Sequence, residues 1–411
     1  MKMHRMRGRA ASGFSLIELL VSMVIALVVT LAITSVLIRS EGSKRSTTSV
    51  NDVSQTGAYI AFVMDRTIRS AGSGFSQNWN DSFGCVIDAS KNNAPILPLP
   101  AALPIPFAAV PLQVRLAPIV IGKGMADTGG QVRGDVITVM ASASGASDQP
   151  QTVLPSPFVP GTARITNTLG YQNDDLVLVA DQGLTTTPNK GCMLQQVAAA
   201  GGVVGDQLNF AGAVYSRDNG SNVGLGELVG STSPVAIQMG TVPAAAGASS
   251  NPPQMLLYGV GDNNTLFSFD LLRVAGNTTA PVADGVVEMR ALYRVDTTAS
   301  PAGSVDTWVD PGVGASGFTF NQLTGGTTTA QLTAAQQQLR RIGAVRIGLI
   351  LRTSLQERDL VNQPGTTLTL FGDLPPILQQ TRVLAGNELY FRYRTVEFTV
   401  PLRNPLYAPY P

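Results

Sequence analysis

Few side chains in this sequence are equipped for chemistry, and their spacing rules out most of the reactions they could support. The one histidine is His4, inside the basic stretch that opens the chain. The chain beyond it therefore lacks an imidazole to serve as general base or metal ligand. Cys85 and Cys192 stand too far apart for a C-x-x-C redox or zinc pair. Asp174 and Asp175 are adjacent, and adjacent strand residues point to opposite faces, so a role in a turn and strand start is expected of them. Asp306 and Asp310 flank Trp308 without the alternating acid-and-glycine pattern of a calcium loop. Gly122-Lys123-Gly124 lacks the glycine spacing and the hydroxyl of a phosphate loop. Arg340, Arg341, Arg346 and Arg352 make a local basic group, expected to be a solvated face, with DNA or partner contact as the alternative. These residues give no reason to expect a catalytic site, a metal, a cofactor or a nucleic-acid partner.

The residue that most demands an explanation is Glu18. It is the only charged side chain in residues 14–38, an otherwise apolar run with scattered Ser and Thr. As a helix that run is about 38 Å long, enough to cross a bilayer. A carboxylate in hydrocarbon costs several kcal/mol and calls for a partner. Glu18 could snorkel to the headgroups or meet the amine of its own chain. Residues 1–13 hold Lys2, Arg5, Arg7 and Arg9 and no acid, a bias that keeps this end in the cytoplasm while the rest of the chain is exported. An ordinary secretory signal has a shorter apolar core, and Ala32-Ile33-Thr34 is a poor cleavage site for one. A plain single-span anchor fits length and charge equally well.

The segment Gly13-Phe14-Ser15-Leu16-Ile17-Glu18-Leu19-Leu20-Val21 resembles the type III signal of type IV prepilins and type II secretion pseudopilins. The resemblance implies that a prepilin peptidase cuts after Gly13 and methylates Phe14. A residue without a Cβ at Gly13 would suit a tight peptidase site. It also implies that Glu18 neutralises the N-terminal amine of a neighbouring subunit during docking into a filament. Opposite charges in a low dielectric would then set axial register.

Composition and periodicity describe the elements that must carry these residues. The 411 residues suffice for a sizeable core; with 42 Gly, 26 Pro, only 13% charged residues and a formal net charge of +1, they suggest short strands and long loops and no global electrostatic field. Residues 39–49 are polar and include Gly42, marking the membrane exit and a weak point in the helix. Val50, Val53, Gly57, Ile60, Met64 and Ile68 then recur at helical spacing, and Gly72 with Gly74 supplies a stop. Strand-like runs occupy 135–140, 175–180, 266–274, 285–295, 344–352 and 389–400, those at 285–295 and 344–352 alternating as half-buried strands do. Residues 92–130 and 244–253 are rich in Pro, Ala and Gly and read as surface loops or insertions. In an exported chain, a structural disulfide between Cys85 and Cys192 is the natural reading, against two buried free thiols.

Ile68-Arg69-Ser70-Ala71-Gly72, Gly84-Cys85, the run at 175–180, Asp284-Gly285-Val286-Val287-Glu288 with Tyr293, and Arg394 through Pro401-Leu402-Arg403-Asn404 resemble the PilW family of minor pilins, in order as well as type. The fold implied is α+β and pilin-like, with a long N-terminal helix packed on a large β-rich domain with long loops. The expected division is a cleaved leader at 1–13, the helix at 14–72 (membrane or filament core at 14–38), and a globular body at 73–411. The function implied is that of a non-enzymatic minor pilin, held in the bacterial inner membrane before assembly and then in the filament or at its tip. Its partners would be the prepilin peptidase, other major and minor pilins and a tip adhesin. A type II secretion minor pseudopilin and a pilin-anchored surface adhesin are the alternatives.

Overall fold

The computed structural model describes residues 15–92, 94–127, 132–144, 149–154, 161–181, 192–212, 214–216, 225, 234–243, 250–272, 279–298 and 306–406. Within them the chain forms two compact units, residues 1–52 and 53–411. One helix, Leu16–Arg69, runs through Gly42 without a break. Its apolar part is bare: Leu16, Val24, Leu31 and Ile38 are each more than half exposed. The polar atoms there are satisfied inside the helix. Ser22 Oγ donates to the Leu19 carbonyl at 2.9 Å, Thr30 Oγ1 to Ala26 at 2.6 Å, Thr34 Oγ1 to Thr30 at 2.8 Å and Ser35 Oγ to Ala32 at 2.7 Å. Such back-bonding is what a helix in hydrocarbon requires of its hydroxyls.

From Val53 onward one stripe of the helix is buried. Val53, Ile60, Met64 and Ile68 enter the main core, which explains the helical spacing of these apolar positions. Gly57 lies where the helix comes closest to the sheet. A Cβ there would fall 2.8 Å from Val396 Cγ2 and 2.9 Å from Leu351 Cδ1. The helix ends at two glycines with positive φ, Gly72 and Gly74, both at 78°. Its last carbonyls are capped from the far end of the chain, where Asn404 Nδ2 donates to Ser70 at 3.2 Å and to Ala71 at 3.0 Å.

A nine-stranded sheet packs under this helix. Its main path runs Ala280–Asp284, Thr265–Asp270, Gln254–Val260, Val132–Ala141, Val286–Val295, Ile342–Arg352 and Tyr393–Pro401, with Ile119–Asp127 and Thr307–Val309 paired off it. All pairings are antiparallel except one residue pair, Met289 with Gly134. Gly134 (φ 127°) is required there, because a Cβ would lie 2.0 Å from the Met289 carbonyl oxygen. Beside it the buried Asp135 carboxylate accepts from the Ala291 N–H at 2.9 Å and the Gly124 N–H at 3.0 Å, and pairs with Arg290 at 3.2 Å.

A seven-stranded sheet takes the path Tyr215–Ser216, Ile87–Lys91, Cys192–Gln196, Asp175–Ala180, Val235–Thr241 and Gln151–Thr152, with Ala94–Leu97 paired to Ile87–Lys91. One face joins the main core through Leu176, Leu178 and Ile237. Its other face is covered by a three-stranded sheet, Thr162–Arg164, Gln207–Asn209 and Val203–Val204, over Val177, Val179 and Ala236.

Three sequence expectations need correction. Residues 285–295 are not a strand with one solvated face, because the hairpin Thr367–Leu370 and Gln380–Val383 covers the second face. Simple alternation puts Val287 on the same face as Met289; an irregular register between Val286 and Glu288 turns it into the hairpin-side cluster instead. Residues 92–130 are not a surface insertion: Leu97, Phe107 and Leu116 are fully buried and Ile119–Asp127 is a strand of the large sheet. Their prolines interrupt the periodicity by which a core segment is recognised. Finally, the last strand begins at Tyr393, since residues from Gly386 to Tyr390 form a short 3-10 turn.

Candidate assembly site

Gly13 and Phe14 lie outside the described residues. Glu18 is in the first turn of the helix, and its carboxylate bends back to accept the Ser15 N–H at 3.1 Å. Ser15 is the residue at which the helix begins, its carbonyl accepting from the Leu19 N–H at 3.1 Å. Glu18 therefore occupies the third helical position of a Ser-x-x-Glu pattern and satisfies one amide that no helical turn can serve. A negative charge is also favoured at this end of the helix dipole. The carboxylate is exposed and has acceptor capacity beyond that one bond. It is thus placed at the N-terminal end of the helix and is open to a cation from outside. The Ser15-x-x-Glu18 spacing is visible in the sequence as a helix-start signal.

Cys85 and Cys192 are joined as a disulfide, with Cα atoms 5.7 Å apart and both residues fully buried. The link lies where two strands of the smaller sheet meet in parallel, Ile87 opposite Cys192.

The remaining candidates take structural roles. Asp174 sits at φ 65° and Asp175 is buried, accepting from the Gln172 N–H at 2.7 Å and Thr241 Oγ1 at 2.8 Å. Burial pushes the Asp175 carboxyl up, against those bonds. Asp310 is buried in an ion pair with Lys123, the lysine of Gly122-Lys123-Gly124, and accepts from Gln380 Nε2 at 3.1 Å. Among the described residues, no group of three or more His, Cys, Asp or Glu could hold a metal.

The arginines do not form one solvated face. Arg340 is buried with its guanidinium 4.8 Å from the Trp79 ring centre, and Arg346 pairs with both Asp373 and Glu397 at 2.6 Å. Arg352 lies 4.3 Å from the Phe391 ring centre. These side chains disperse because Arg340 lies in the helix Thr329–Arg340, while Arg346 and Arg352 share one face of the strand Ile342–Arg352 but stand six residues apart. Under the hairpin a second buried network links Arg290 to Glu288 at 2.7 Å and Glu288 to Arg382 at 3.0 Å. Two helices, Phe320–Thr324 and Thr329–Arg340, have no counterpart among the sequence expectations. Both open with a Thr-x-x-Gln capping box, Thr319 with Gln322 and Thr328 with Gln331, which is the available signal.

Comparison with known families places these features. Residues 8–34 match the prokaryotic N-terminal methylation motif, and residues 257–404 match PilW, described as type IV pilus-assembly protein W. A methylation signal leading into a bare apolar helix defines the class, a type IV prepilin. Within it the chain is PilW-like, a minor-pilin type of pilus-assembly protein, and both matched families are structural. The PilW match takes in Asp284 through Glu288, Tyr293 and Arg394 through Asn404, but not the similar motifs before residue 257. Neither a curated protein nor a solved structure matches the chain.

Proposed function

We propose that this chain is a minor pilin of a type IV pilus. A prepilin peptidase removes the leader after Gly13 and methylates Phe14. Before assembly the helix holds the protein in the bacterial inner membrane, N-terminus cytoplasmic, with the body from residue 73 onward in the periplasm. The helix then packs into the filament or its tip and initiation complex. There Glu18 takes the N-terminal amine of a neighbouring subunit, and the body meets other major and minor pilins and a tip adhesin in support of pilus biogenesis and adhesion. The observation that carries this reading is the presence in one chain of the methylation motif at 8–34, the bare apolar helix it leads into, and the PilW match at 257–404.

The docking role is supported by Glu18 lying exposed in the first turn of the helix, four residues after Phe14, with acceptor capacity to spare. Glu18→Ala is expected to leave the protein in the membrane fraction and to remove it from sheared pili. Sheared pili containing the variant at the wild-type level would refute the docking role and leave Glu18 as a helix cap.

A further inference from the structure

The helices Phe320–Thr324 and Thr329–Arg340 border a cleft of about 300 Å³. Among the described residues no charged and no aromatic side chain lines it; its polar side chains are the amides of Asn321, Gln322, Gln331 and Gln338. The capping boxes lock two of these. Gln322 Oε1 accepts from the Thr319 N–H at 3.1 Å while its Nε2 donates to the Gly314 carbonyl at 2.7 Å. Gln331 Oε1 accepts from the Thr327 and Thr328 N–H groups at 3.1 and 3.2 Å, which leaves its Nε2 available. Among the described residues, the Asn321 and Gln338 amides meet no hydrogen-bond partner, and Gln338 Oε1 is buried in that state. Gly317, at φ 80°, leaves room for Gln338, since a Cβ there would lie 3.3 Å from Nε2.

We infer that this cleft binds a neutral sugar residue. Each free amide presents a donor and an acceptor side by side, as does each sugar hydroxyl. An anionic ligand would find no cation here and a cationic ligand no carboxylate. An apolar ligand would leave the amides unpaired at a cost of about 1–3 kcal/mol each. The volume is at the lower end of the range for small-ligand sites, about 300–1,000 Å³, and admits a pyranose ring. Fixed Gln322 and Gln331 rotamers present the walls in one arrangement before the ligand arrives. This inference does not depend on the assembly reading.

The test is saturation-transfer NMR on the full chain in lipid nanodiscs, with glucose, galactose, N-acetylglucosamine and N-acetylgalactosamine as probes and anionic N-acetylneuraminic acid as control. Transfer is expected to at least one neutral sugar. Affinity should fall about tenfold or more, the loss of at least one good hydrogen bond, in Gln338→Leu. Ala334→Phe, which fills the cleft from an exposed position while leaving all four amide residues unsubstituted, should abolish transfer. No transfer to any of the four sugars, transfer undiminished in Ala334→Phe, or equal transfer to N-acetylneuraminic acid would overturn the inference.

Discussion

Asp81 shows how one side chain sets a pH response in the body. Burial and, secondly, the nearby Asp181 carboxylate push its carboxyl up to about 6, against a hydrogen bond from Asn78. In the unfolded chain it would titrate near an ordinary aspartate, about 3.9. The native state thus binds a proton that the unfolded state releases. The resulting stability is complete below about pH 4 and disappears as the pH rises through about 6. Asp81→Asn should therefore raise the melting temperature at pH 7 and flatten its change between pH 4 and pH 7. An unaltered pH profile would contradict this. At the same scale, residue types are legible where their role is local. Glu18 stands out because a lone acid in an apolar helix needs a partner, and Gly72 with Gly74 because a helix needs an end. Asn404 is legible only as part of a family-like motif. Its task, capping Ser70 and Ala71, joins residues more than 300 positions apart, a distance over which no local pattern speaks.

The long helix is readable because its two halves obey two different rules, continuous apolarity up to Ile38 and helical spacing from Val53. The strand Val286–Val295 is harder. Its alternation of Met289, Ala291 and Tyr293 with Arg290 and Arg294 suggests one wet face. Arg290 instead pairs with Glu288 and Asp135, Glu288 pairs in turn with Arg382 of the hairpin, and Arg294 lies 5.5 Å from the Trp308 ring centre. Binary patterning marks which face is polar, but what covers that face is decided by a segment some 80 residues further on. The helix–sheet contact itself makes a sharp prediction at Gly57. A leucine there must displace Val396 and Leu351 and should destabilise the body by about 1–3 kcal/mol, as overpacking does. Gly57→Ala adds a smaller clash that the better helix propensity of alanine offsets by about 1 kcal/mol. Urea melts should place Gly57→Leu well below wild type and Gly57→Ala between them or level with wild type. Equal midpoints for all three would contradict the close packing.

At the scale of the whole molecule, the body is held by one main core fed by both large sheets and the helix from Val53 onward. Across that core the disulfide closes a loop of 107 residues. In the chain-entropy model, closing a loop of that length contributes up to roughly 4.7 kcal/mol. The double variant Cys85→Ala/Cys192→Ala should therefore lower the unfolding free energy obtained from urea melts by up to an amount of that order, and a value equal to wild type would show that the link adds nothing to the fold. The general α+β plan is legible from the apolar helix succeeded by alternating runs. The order of strands is not, because the parallel pair of the large sheet at Gly134 and Met289 depends on a close approach that only the folded chain reveals. The proposed organisation, a membrane-held helix on an exported β-rich body, has meaning for a pilus only if the leader is processed. The most direct measurement is therefore the N-terminus of the protein recovered after co-expression with a prepilin peptidase, read by mass spectrometry. The account predicts a chain that begins at N-methylated Phe14; an intact leader, or a cut anywhere other than after Gly13, would contradict it.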